Sequence, residues 1–209
     1  MASETGYFDV VFSPAATMRR ENGGLVGGIA RLAAFGAIIG VVMGLLAAAA
    51  VAVVGAVATA FFPLAFLLAG VGVAAALFSI IALSICLAVA MIVHDVVLTA
   101  VLFVCAKLLG GKGDFSKHFY LNALITTTYP ILAVIAFTVA VILLFIPVFG
   151  PAIFAVAVAC IALYCLYLRS LAVKQTHGFG WGKSVLAVLL VPVILAVFLV
   201  LTGIAALVR

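Results

Sequence analysis

Polar and charged residues fall in short clusters along this chain, and the stretches between them are almost wholly apolar. Residues 1–31 mix charge with glycine and hold Glu4, Asp9, Arg19, Arg20, Glu21 and Arg31. Residues 32–93 carry neither charge nor histidine; His94 and Asp95 interrupt, and the apolar run resumes to Ala106. A basic loop follows with Lys107, Lys112, Asp114, Lys117 and His118. Residues 119–168 are again uncharged, a second basic stretch holds Arg169, Lys174, His177 and Lys183, and 184–208 are uncharged up to Arg209. A membrane-spanning helix needs about 20 apolar residues. The last run fits one span. The run 119–168 fits two, broken at Pro147-Val-Phe-Gly-Pro151, where two prolines and a glycine signal a turn. The first run, 32–106, could hold two or three by length alone.

Charge decides between two and three. Lysine and arginine concentrate in cytoplasmic loops. The loops at 107–118 and 169–183 are two spans apart and therefore share a side. Arg19, Arg20 and Arg31 join them only if the first run holds an even number of spans, and four would be too short. Two spans put nine of the ten basic residues inside. The pattern thus predicts an all-α polytopic transmembrane bundle: a cytoplasmic or interfacial segment at 1–31, then a membrane domain at 32–209 with five spans near 32–59, 82–109, 121–146, 151–172 and 184–208. The N-terminus is cytoplasmic and the C-terminus outside, in the cell membrane. Leu64 to Ala106 would be roughly 65 Å as one helix, about twice a bilayer core. A break is therefore expected at Phe61-Phe62-Pro63 or at Gly70-Val-Gly72, with 60–81 an interfacial or partly re-entrant excursion on the outer side.

Composition agrees with this picture. The chain is 70% hydrophobic and 7% charged, where a soluble domain carries about 25% charged residues. The formal charge of +5 reads as topology and attraction to anionic lipid headgroups, since no aromatic-basic patch suggests nucleic acid. Cys86, Cys105, Cys160 and Cys165 lie in apolar runs without metal-ligand spacing and read as small core residues. No signal peptide is visible. Paired carboxylates, a Ser-His-Asp set and a metal cluster are all missing from the sequence, which argues against an enzyme and calls for no cofactor.

Several landmarks then fall in order. Phe12-Ser13-Pro14 precedes the first span, Gly110-Gly111-Lys112-Gly113-Asp114-Phe115 follows the second, Tyr129-Pro130 sits early in the third, and a His-containing loop precedes the last. The chain resembles the Yip (Ypt-interacting-protein) domain family of five-span membrane proteins in its short prokaryotic or archaeal form. The likeness covers nearly the whole chain, and Gly-Gly-Lys-Gly-Asp-Phe is its most specific part. It implies a five-helix domain with a cytoplasmic N-terminus. Eukaryotic members of that family act in vesicle trafficking and bind Rab-type small GTPases, and this chain lacks a long cytoplasmic N-terminal extension.

Three features carry candidate function. Gly36, Gly40 and Gly44 form a doubled Gly-x-x-x-Gly, a groove for another helix of the same chain or for a second copy. His94 and Asp95 interrupt the second span, Asp95 roughly 18 Å along a helix from Lys107. A carboxylate at that depth costs several kcal/mol unless it faces the bundle and pairs, with His94, Thr99 and Thr126–Thr128 as candidate partners. His177-Gly-Phe-Gly-Trp-Gly-Lys183-Ser184 lacks the first glycine of a phosphate loop and follows no strand. Its milder reading is a lipid-phosphate contact, with Ser184 as N-cap of the last span and Lys183 beside free N–H groups. Trp181, Tyr164 and Tyr167 read as an inner aromatic belt. Two roles compete: a membrane scaffold or adaptor that binds proteins or lipids, and a small transporter or channel that uses Asp95 and His94.

Overall fold

The computed structural model describes residues 7–21, 23–61, 65–144 and 150–207, with no strand among them. Seven helices follow in order: α1 (Tyr7–Phe12), α2 (Pro14–Arg20), α3 (Leu25–Phe61), α4 (Ala65–Leu108), α5 (Phe115–Leu144), α6 (Gly150–His177) and α7 (Trp181–Leu207). Among the described residues, three stretches are long and apolar enough to cross a membrane: Leu25–Val54, Phe78–Leu108 and Ala152–His177. The protein is therefore a helical bundle built around membrane-spanning helices. The chain divides into two compact units, Met1–Gly28 with Asp95–Arg209, and Ile29–His94.

The unit Ile29–His94 is an antiparallel helical hairpin, and the glycine stripe sets its spacing. A Cβ on Gly36 would lie 2.6 Å from Ala88 Cα, one on Gly40 would strike the Ser84 backbone, and one on Gly44 would lie 2.8 Å from Ile80 Cα. Each step of four along α3 matches a step of four back along α4, so the stripe forms one continuous seam. Glycine allows this approach because nothing projects from its Cα, and dispersion between closely packed backbones then holds the helices together. The stripe thus packs within its own chain, the first of its two readings. The outward faces of both helices carry exposed Ile38, Val42, Leu46, Ile81, Ile85 and Val89, suited to lipid.

Of the two expected break positions, the one at Gly70-Val-Gly72 is not found, while α3 ends at Phe61 and α4 begins at Ala65 on either side of the other. The helix runs unbroken for 44 residues, roughly 66 Å, with Gly70 and Gly72 inside it. The excursion at 60–81 is corrected accordingly: 65–81 belong to the helix, and Phe62 and Pro63 lie outside the described residues. A helical glycine costs only about 1 kcal/mol, whereas a backbone group left unpaired in hydrocarbon costs several, so the helix continues through glycine. The turn at Pro147–Pro151 is described only from Gly150 onward.

The larger unit packs α5 against α6 and α6 against α7, with α1 and α2 laid on α5 and α6. One apolar cluster joins Val10 and Met18 to Leu121, Leu124, Ile125, Leu168, Leu171 and Ala172. A second joins Leu102, Cys105 and Ala106 of α4 to Val173 of α6 and Ala187, Val188 and Val191 of α7. The N-terminal segment does more than line an interface. The Tyr164 hydroxyl donates to the Val11 carbonyl (2.5 Å), thirteen residues and roughly 20 Å along α6 from its His177 end. Nearer that end, Tyr120 donates to Glu21 (2.8 Å) and the Leu25 N–H donates to Ser116 (2.7 Å). Two of the four cysteines, Cys86 and Cys160, are exposed on outward helix faces rather than packed in a core.

Candidate functional site

Two loops, far apart in sequence, meet at one end of the larger unit. The first leaves α4 through a glycine C-cap. Gly110 has φ +88°, its N–H donates to the Lys107 carbonyl (3.0 Å), and the Gly111 N–H donates to the Ala106 carbonyl (2.9 Å). These two bonds satisfy carbonyls that the ending helix would otherwise leave open. Asp114 then caps α5, its carboxylate accepting the Lys117 N–H (3.1 Å). The second loop leaves α6 in the same way, with Gly178 at φ +69° and its N–H on the Lys174 carbonyl (3.0 Å).

His177 joins the loops. Its Nδ1 accepts the Gly113 N–H (3.1 Å), and its Nε2 faces His118 Nδ1 (3.3 Å). A Cβ on Gly111 would sit 2.5 Å from His177 Nδ1, and one on Gly113 would sit 2.5 Å from the Thr176 carbonyl. The glycines in Gly110-Gly111-Lys112-Gly113-Asp114-Phe115 therefore have two uses: the first turns the chain, and the other two admit the opposite loop. Aromatic rings close around the pair. Phe103 lies 5.4 Å from His177 and 6.1 Å from His118, and Phe179 stacks on His177 at 5.7 Å.

The tautomers follow from the bonds. A backbone N–H only donates, so His177 Nδ1 must accept and its proton sits on Nε2. That proton goes to His118 Nδ1, and the His118 proton sits on Nε2. Burial, and next the neighbouring His177, push the His118 pKa down to about 3 from the ordinary 6.5. The unfolded chain thus binds a proton between those values and the folded chain does not. Stability is complete above about pH 6.5 and falls as pH drops towards 3, by up to about 1.4 kcal/mol per pH unit from this one group. Thermal unfolding in detergent between pH 7 and pH 4 should show that slope, and His118→Phe should flatten it. Equal slopes for the two proteins would refute the assignment.

Lysines lie over rings around this junction. Lys174 Nζ sits 4.3 Å from the Trp181 ring centre, Lys107 5.1 Å from Phe103, and Lys183 5.9 Å from Phe179. Tyr167 stacks on Trp181 at 5.6 Å and Tyr164 stacks on Tyr167 at 6.0 Å, so the three rings expected as a belt form one row, with the Tyr164 hydroxyl turned inward to Val11. Ser184 is not the N-cap. It lies in the first turn of α7 and its hydroxyl donates back to the Gly180 carbonyl (3.0 Å). Lys183 remains exposed beside that helix start.

Deeper in the same unit lies a ladder of polar pairs between α4 and α5. Thr126 donates to Asp95 Oδ1 (2.5 Å), Asn122 donates to Thr99 Oγ1 (3.1 Å), and one turn nearer the loops Phe103 faces His118. Each pair is displaced by four residues on both helices. The Arg169 guanidinium is close enough for the charge of Asp95 to act on it. Asp95 is fully buried and His94, its neighbour, is exposed, so the two do not converge on one site. Of the three threonine hydroxyls offered to Asp95, Thr126 reaches it, while Thr127 and Thr128 bond the carbonyls of Ala123 and Leu124 within α5. The sequence reading missed the partnership of His118 with His177. A histidine in each basic loop was its only signal.

Comparison with protein-family models, with curated proteins and with solved structures finds no match for the chain.

Proposed function

We propose that the chain is a five-span, Yip-like protein of the cell membrane that acts as a scaffold, using its joined basic loops as a rigid docking platform. Its occupants are anionic lipid headgroups and the acidic surfaces of partner proteins. The observation that carries this reading is the bond from Gly113 to His177, which fuses two lysine-bearing loops into one surface. A fixed array of cations loses less side-chain freedom on binding than a loose one, and each near-surface charge attracts anionic lipid by about 1 kcal/mol.

The proposal carries an orientation: platform and N-terminus inside, C-terminus outside. A fluorescent protein that matures only in the cytoplasm should be bright at Met1 and dark after Arg209. Bright fusions at both ends would make the span count even and overturn the five-span reading. For the platform itself, thermal stability should rise in nanodiscs of anionic lipid over neutral lipid. Lys174→Gln with Lys183→Gln should remove about 2 kcal/mol of that gain. Equal stability in the two lipids would end the platform hypothesis.

A further inference from the structure

The polar ladder contains two atoms whose needs match. His118 and Asn122 are both fully buried, and they stand one turn apart on the face of α5 that meets α4. His118 Nε2 has no hydrogen-bond partner, and neither has Asn122 Oδ1. The tautomer fixed by Gly113 makes the first a donor. The second is an acceptor, because the Asn122 amide nitrogen is committed to Thr99. A buried donor and a buried acceptor left open would each carry the full desolvation penalty of the group.

Four residues of helix rise about 6 Å. That is too far for a direct bond between the two groups, but two hydrogen bonds of about 2.8 Å through one water cover it. Polar sites of this kind hold ordered water, whereas dry cavities are apolar. We propose that the α4/α5 seam binds a structural water that accepts from His118 Nε2 and donates to Asn122 Oδ1.

With that water the bonds form one directed chain. The Gly113 N–H donates to His177, His177 to His118, His118 to water, water to Asn122, and Asn122 to Thr99. Every donor points from the loops into the bundle, so each bond polarises the next. The chain ends one turn from Asp95. The amide of Asn122 does not pass protons readily, so the assembly is a fixed polar strut rather than a proton wire. It ties the loop junction to the interior of the bundle, independently of whether the platform binds lipid.

Radiolytic hydroxyl labelling of the full protein in nanodiscs tests this, because radicals form at ordered internal water as well as in bulk solvent. His118 and its neighbour Phe119 are equally buried, so bulk solvent reaches neither. His118 should be modified severalfold faster than Phe119. Asn122→Leu should bring His118 down to the Phe119 rate, and Asn122→Asp, which keeps an acceptor, should restore it. Equal rates for His118 and Phe119 in the unaltered protein would overturn the proposal even if Asn122→Leu failed to fold. So would a His118 rate unchanged in a folded Asn122→Leu variant.

Discussion

Gly40→Ile is expected to destabilise the α3–α4 hairpin by about 3 kcal/mol, at the upper end of overpacking effects. The reason is local and steric. Even a Cβ at this position would strike the Ser84 backbone, and backbone cannot rotate aside as a side chain can. The helices must separate, and separation opens the contacts at Gly36 and Gly44 as well. Val41→Ile, on an exposed position of the same helix, should be nearly neutral. Thermal unfolding in detergent compares the two. Similar stability for Gly40→Ile and Val41→Ile would mean the hairpin repacks freely and the seam sets nothing.

The stripe on α3 could be read from sequence because glycine every fourth residue is rare and helical geometry makes it a line. Its partner could not. Ala88, Ser84 and Ile80 are ordinary residues in an alanine-rich helix, and only the antiparallel register brings them opposite. The apolar runs also marked the three helices long and apolar enough to cross a membrane among the described residues, but not the continuity of α4, where two glycines looked like a break. In hydrocarbon the cost of an open backbone outweighs the propensity of single residues. The packing of the N-terminal segment was not legible for a related reason. Charges at Asp9, Arg19 and Arg20 marked a cytoplasmic or interfacial segment, while the buried Val10 and Met18 are too few to show as a helical period.

The candidate site shows the same division. Gly110–Phe115 stood out as a motif, and its partner loop stood out as basic and aromatic. That they touch through His177 depends on α4, α5, α6 and α7 ending at one level, which follows from packing and not from local pattern. The ladder was partly visible. Asp95 with Thr99, and His118 with Asn122 and Thr126, each repeat at four-residue spacing, and polar residues at that spacing in an apolar helix mark one face. The sequence named Thr99 and Thr126 as partners for Asp95, and Thr126 is one. It did not name Arg169, which sits at the edge of the second basic stretch and was counted with the loop.

Arg169 changes what replacing Asp95 should do. Alone, a buried carboxylate is a liability, and Asp95→Asn would be neutral or stabilising. With a guanidinium close enough to feel its charge, the carboxylate offsets the desolvation of the partly buried Arg169, and losing it leaves Arg169 without that compensation. Breaking a fully buried ion pair costs about 3–5 kcal/mol, and less where one charge is partly exposed, whereas replacing both members with apolar groups is often close to neutral. Asp95→Leu is therefore expected to lower stability by up to about 3 kcal/mol and Arg169→Leu by a similar amount. The double replacement should recover most of the loss. A double-mutant cycle on thermal unfolding in nanodiscs measures the coupling. Additive losses would show that the two charges do not share an environment. Recovery in the double variant, with lipid-dependent stabilisation intact, would show that the pair supports the bundle and leaves the platform to act alone.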